Sequence, residues 1–131
     1  MSIDIANLLQ SDGPVILLVS DPRKLDAAVK IALQYRPNSD VLNELALPIH
    51  FFNYFRAQSR LHRDVIVNFD SLKHSSCSWD VTYAILKTLL AGQETCWPAR
   101  DSYIRPFTYT GRLTVIAGQP EQLSCPLQGK L

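Results

Sequence analysis

The stretch DVIVNFDSL, residues 64–72, decides the fold class. Val65, Ile66 and Val67 run without alternation, Phe69 follows, and the stretch ends in an acid and a hydroxyl, Asp70 and Ser71. A strand with one wet face alternates apolar and polar side chains. A continuous apolar run belongs to a strand covered on both faces, as in a parallel sheet. Two more runs of this kind flank it at a distance: VILLVS at 15–20 and RLTVIAGQP at 112–120.

Between these runs the apolar spacing becomes helical. In DPRKLDAAVKIALQYR (21–36), Asp21 is a cap, Pro22 suits a first turn, and Leu25, Ala28, Val29, Ala32 and Leu33 recur on one face before Pro37 and Asn38 stop the helix. PIHFFNYFRAQSRLHR (48–63) predicts a helix that starts at a proline and carries four aromatic residues, then arginines. SWDVTYAILKTLLAG (78–92) predicts another, capped by Ser78, with Val81, Ile85, Leu86 and Leu89 inward and Gly92 as its stop. DVLNELAL (40–47) reads as a short strand or a turn of helix, SIDIANLLQ as a short amphipathic helix, and EQLSCPLQGKL (121–131) as a tail with at most one helical turn.

Strand, helix, strand, helix, strand predicts an α/β domain of three layers around a mainly parallel sheet. The 131 residues, 47% hydrophobic, make one domain with a core of ordinary size. Residues 93–111 hold two prolines and little periodicity, and are expected to be a long loop or hairpin insertion. A net charge of +1 gives no global attraction to nucleic acid or anionic membrane. No apolar run reaches the roughly 18 residues of a membrane span, and the first residues lack the basic leader and apolar core of a secretory signal. Three scattered cysteines, Cys77, Cys96 and Cys125, suit reduced thiols in the cytoplasm or nucleus better than a disulfide framework. With no C-x-x-C pair, a structural zinc site is not expected.

In a parallel sheet, binding groups collect at the carboxyl ends of the strands. Those ends are Ser20–Asp21, Asp70–Ser71 and Gly118–Gln119. A loop that wraps phosphates needs glycines, so that backbone N–H groups turn inward, and a lysine to neutralise charge. After the first strand the chain offers SDPRKLDAA instead. It has no glycine, Pro22 removes a donor, Asp21 brings a negative charge, and Lys24 stands without a loop.

DVIVNFDSL, a helix, an irregular excursion and then LTVIAGQ together resemble the core of the RecA/recombinase ATPases, over about residues 64–120. In that superfamily Asp-Ser ends one strand and a later strand ends in a polar residue that senses nucleotide; Asp70, Ser71 and Gln119 occupy the matching places. The first-strand loop departs from the family, and the distance from first strand to Asp70 is shorter. The resemblance therefore implies a member without the phosphate loop, of the kind found in recombinase-paralogue complexes and in the accessory subunits of Elongator. Such a member is a non-catalytic pseudo-ATPase subunit or adaptor, in the cytoplasm or nucleus, with no cofactor. It has a protein partner in a hetero-oligomer, and DNA repair or recombination is one setting, nucleic acid being reached through the complex.

A second resemblance points elsewhere. VILLVSDPRKLDAAVKIAL looks like the start of a response-regulator receiver, with Asp70 as the phosphoacceptor. Receivers pair acids after the first strand to hold magnesium, and here Asp21 stands alone before Pro22. This reading gives a receiver-like or nucleotide-sensing regulatory domain with a ligand at Asp21, Asp70 and Gln119.

Other clusters carry weaker chemistry. His74, Cys77 and Asp80 have the three-residue spacing of a nucleophile with a base, but nothing nearby supplies an oxyanion hole, and a serine-rich helix cap accounts for them. Arg56, Arg60 and Arg63 fall at i, i+4 and i+7 and are expected to form one helical stripe, a phosphate-contacting patch in a nucleic-acid-binding subunit and otherwise a solvated face. Arg100, Arg105 and Arg112 interleave with Tyr103, Phe107 and Tyr109, a mixture that suits a protein interface. In IHFFNYF, Phe51, Phe52 and Phe55 are expected to face the sheet, and Tyr54, with any apolar surface left over, to meet a partner.

Overall fold

The computed structural model describes residues 5–43, 48–57, 61–71, 79–97, 105–118 and 128–130. Side chains on a strand point alternately to its two faces, and here both faces are dry. Val15, Leu17, Val19, Ile66 and Ile116 join one apolar cluster, while Ile16, Val65, Val67, Leu113, Val115 and Ala117 join another. The chain reaches this through α1 (Ile5–Gln10), β1 (Val15–Leu18), a 3-10 turn (Pro22–Lys24), α2 (Leu25–Tyr35), β2 (Asp40–Leu42), α3 (Pro48–Arg56), β3 (Val65–Asn68), α4 (Trp79–Leu90), β4 (Leu113–Ala117) and β5 (Gln128–Lys130).

The strands form one sheet in the order β2-β3-β4-β1-β5, every pair parallel. Helices α1 and α2 supply the first cluster through Ile5, Leu9, Ala28 and Ala32. Helices α3 and α4 supply the second through Phe51, Phe52, Phe55, Ile85, Leu86, Leu89 and Leu90. This is the three-layer α/β arrangement that the apolar runs predict. β2 resolves the ambiguity at residues 40–47 in favour of a strand, over Asp40–Leu42.

Two expectations need correction. The segment read as a tail contributes an edge strand: Gln128, Gly129 and Lys130 pair with Ile16, Leu17 and Leu18. Gln-Gly-Lys carries no apolar or β-branched signal, so its strand conformation is set by pairing to β1 and not by propensity. The helix expected over 48–63 ends at Arg56, and Leu61 and His62 form a turn.

Residues 93–97 and 105–111, the described parts of the expected insertion, pack on the domain. Thr95 and Phe107 exchange backbone hydrogen bonds of 2.8 and 3.1 Å across an antiparallel bridge. Phe52 receives the Trp97 and Phe107 rings edge-on, with centroids 5.3 and 5.2 Å away. Phe107 and Tyr109 thus close the α3–α4 face of the core.

Candidate functional site

Because β1 lies beside β4 and β4 beside β3, the carboxyl ends of these three strands are neighbours. The chain leaves β1 for α2 on one face of the sheet and enters β3 and β4 from α3 and α4 on the other. Ligands of open parallel sheets bind at such a change of direction. The Asp70 carboxylate crosses the gap: its Oδ2 accepts the Gly118 N–H at 3.1 Å. A Cβ on Gly118 would stand 3.0 Å from that oxygen and 3.4 Å from the Val19 carbonyl oxygen, so the strand ends close tightly here. Val19 donates its N–H to the Ala117 carbonyl at 2.9 Å and completes the junction.

Phe69, Asp70 and Ser71 turn helical directly after β3. The Asn68 side chain accepts the Ser71 N–H at 3.4 Å, so Asn68 caps this turn and Asp70 serves the neighbouring strand. Asp70, which the sequence places in the ligand or phosphoacceptor position, accepts the Gly118 N–H while Asn68 caps the turn. Among the described residues, no group of three or more His, Cys, Asp or Glu side chains is gathered as a metal site. Gln119, the third member of the expected set, lies outside the described residues.

The turn after β1 is closed on itself. Asp21 Oδ1 accepts the Arg23 N–H at 2.9 Å, and its two oxygens accept Arg23 Nε and Nη2 at 3.2 and 3.1 Å. The Asp21 carbonyl accepts the Lys24 N–H at 2.9 Å. The Leu25 N–H goes to the Pro22 carbonyl, and Pro22 has no N–H to give. Each backbone donor of residues 23–25 is therefore committed inside the turn. Hydrogen bonds from the Arg23 side chain and backbone, with Lys24 nearby, hold the Asp21 carboxyl below the usual range. An ionised carboxylate occupies the place where a phosphate would need donors.

Comparisons with protein-family models, curated proteins and solved structures return no match.

The remaining expected site residues scatter. Arg63 follows the turn after α3 and pairs with Asp40 at 2.8 Å, while Arg56 stays on the helix and bonds the Asn53 side chain at 3.1 Å. With α3 ending at Arg56, the helical stripe of Arg56, Arg60 and Arg63 does not exist; Arg60 lies outside the described residues. Phe51, Phe52 and Phe55 are fully buried, and Phe107 and Tyr109 nearly so, hence these five rings have no surface left for a partner. Tyr54 is half-buried, stacks on Phe55 and donates its hydroxyl to Asp40. Tyr103, Arg100, His74 and Cys77 are outside the described residues. Cys96 is an exposed free thiol. No helix among the described residues is long and apolar enough to cross a membrane.

A polar centre that the sequence did not announce lies at the opposite, amino ends of the strands. Arg36 is completely buried at the close of α2. Its Nε donates to the Leu9 carbonyl at 2.9 Å, Nη2 to the Ser11 and Gly13 carbonyls at 2.9 and 3.0 Å, and Nη1 to the Leu113 carbonyl and Thr114 Oγ1 at 3.3 and 3.0 Å. Nearby, Asp64 takes the Arg112 backbone N–H and two side-chain donors at 3.0, 3.0 and 2.6 Å. Tyr109 donates to the Arg63 and Arg112 carbonyls at 2.7 and 3.2 Å. Burial, and then the Asp64 charge, push the Tyr109 phenol above its ordinary pKa. The only hint in the sequence is an arginine at a helix end just before Pro37, which reads as an ordinary charge at a helix carboxyl terminus.

Proposed function

We propose that this chain is a non-catalytic subunit or adaptor: a RecA-like α/β domain whose nucleotide pocket has been replaced by a self-bonded turn, and which works by assembling a protein complex. The observation that carries the reading is the turn after β1. A phosphate seat is built from free, inward-turned N–H groups, and Arg23, Lys24 and Leu25 give theirs to Asp21 and Pro22. Asp21 adds a fixed negative charge at the same place.

The sheet supports the RecA-like part of the reading. The superfamily resemblance requires the Asp-Ser strand and the later polar-ended strand to flank the first strand's loop, and the order β3-β4-β1 brings these ends side by side. Asp70 bonds to Gly118 across β3 and β4. Complexes that handle DNA in repair or recombination are the setting that the resemblance suggests, in the cytoplasm or nucleus.

The test has two arms. Purified protein is assayed for ATP and GTP hydrolysis with magnesium, and native cell extracts are resolved for species that co-purify with it. The expected outcome is no turnover above background and a stoichiometric protein partner. Turnover that disappears in Asp70→Ala, or a thermal shift of several degrees with a nucleotide that the same substitution removes, refutes the proposal and favours a nucleotide-sensing domain.

A further inference from the structure

β5 is a three-residue edge strand whose only sheet neighbour among the described residues is β1. Its other support is α1. A Cβ on Gly129 would lie 2.9 Å from Leu8 Cδ1 and 3.2 Å from Ile5 Cγ1, so α1 rests directly on the β5 backbone. At its far end α1 is fastened by Arg36, which takes the carbonyls of Leu9, Ser11 and Gly13. The opposite face of the sheet is independent of both elements. Its cluster draws on α3, α4, residues 107 and 109 and the strands, and includes nothing from α1 or β5. β1 also keeps β4 on its inner side, through the register Val15↔Thr114 to Leu18↔Ala117.

We infer that α1 is a strap over β5, held at its Leu9–Gly13 end by Arg36, and that its Ile5–Leu8 end and β5 loosen from the sheet as one unit while β2, β3, β4 and β1 stay assembled. Local opening of this kind follows cooperative blocks of contact, and the block here is Ile5 and Leu8 against Gly129. The consequence falls on β1. Val19 gives its N–H to β4, and alternation along a parallel strand sends Leu17 and Val15 the same way. Ile16 and Leu18 therefore point to β5, and their backbone groups become a free sheet edge when β5 leaves.

Amide hydrogen exchange on the whole chain, read residue by residue by NMR, tests the strap. The double variant Ile5→Asp, Leu8→Asp removes the apolar grip of α1. Exchange at Ile16, Leu18 and Gly129 is expected to accelerate at least about tenfold, with less than about threefold change at Val65, Val67 and Val115. Gly129→Val works from the other side and is expected to accelerate exchange at Leu9 and Gln10, because coupling between two elements is reciprocal. Acceleration spread evenly over β3, β4 and β5, including outright unfolding of either variant, overturns the inference. So does unchanged protection at Leu18 and Gly129 in the double variant.

Discussion

Replacing Arg36 by methionine removes five donors while keeping most of the side chain's volume. Two of the five acceptors have other recourse. Leu113 begins β4, opposite Val65 in a sheet that also has β1 on its other side, and the Thr114 hydroxyl rotates to suit a new partner. Among the described residues, the carbonyls of Leu9, Ser11 and Gly13 are taken by Arg36. Leaving a part-buried acceptor unpaired costs about 1–3 kcal/mol, and water reaches Ser11 and Gly13 more easily than Leu9, so about 3–5 kcal/mol in all is expected. Relief of burying a charge works the other way. That cost is visible in the Arg36 pKa, which burial pulls below the ordinary value, but the guanidinium already has every N–H bonded. For a domain whose total stability is roughly 5–15 kcal/mol, the loss is severe. Urea denaturation followed by circular dichroism measures it: the midpoint falls sharply at nearly constant slope. Arg36→Lys is expected to rescue little, because one ammonium cannot reach both the 9–13 segment and the start of β4. A methionine variant within about 1 kcal/mol of the parent would refute the assignment of Arg36 as the fastening of α1 to the sheet.

Three further outcomes follow from the same contacts. Asp64 is raised by burial, but the Arg112 hydrogen bonds outweigh this and leave its pKa below the ordinary value; its contribution to stability is therefore complete above about pH 4 and falls away as pH drops through the folded-state pKa. The acid limb of a pH–stability curve should flatten in Asp64→Asn, and an unchanged limb would remove Asp64 from the account. Phe52→Ala empties the site between Trp97 and Phe107 and is expected to cost about 3–5 kcal/mol, with a shift in tryptophan fluorescence as the Trp97 environment opens. Tyr109→Phe deletes the bonds to the Arg63 and Arg112 carbonyls and is expected to cost about 1–2 kcal/mol in chemical denaturation, while spectrophotometric titration of the parent should show one tyrosine silent until the protein unfolds in base.

The fold was legible where burial alone dictates sequence. Apolar runs at 15–19, 65–67 and 113–117 correspond to strands with both faces covered, and Ile85, Leu86 and Leu89 face inward as their spacing predicts. Legibility failed where a neighbour decides the conformation. Gln128–Lys130 is a strand because β1 offers an open edge, and no residue in it says so. The stop of α3 at Arg56 was hidden because AQSRLHR is compatible with helix by propensity; the turn at Leu61 and His62 is held instead by the Thr110 N–H on the Leu61 carbonyl at 2.8 Å, a contact 49 residues apart in sequence. Aromatic density misled for a related reason. Phe107 and Tyr109 sit in an aperiodic, proline-bearing stretch that reads as surface, yet the bridge from Thr95 folds them onto Phe52 and Phe55.

The candidate site was legible in position and misread in bonding. Sequence placed Asp21, Asp70 and the end of β4 along one edge, and the order β3-β4-β1 makes them neighbours. What spacing did not reveal is that each acid already has its donors: Asp21 from Arg23, and Asp70 from Gly118. The two ends of the sheet then divide the work. At the amino ends, Arg36, Asp64, Arg112 and Tyr109 tie four segments of the chain together from buried or half-buried positions, where each bond is costly to lose. At the carboxyl ends Asp21 takes Arg23 from two residues away on an exposed turn, where side chains can be exchanged with little loss to the fold, and Asp70 takes Gly118 from 48 residues away. A sheet fastened at its amino ends in this way keeps its architecture when side chains of the exposed turn after β1 are exchanged.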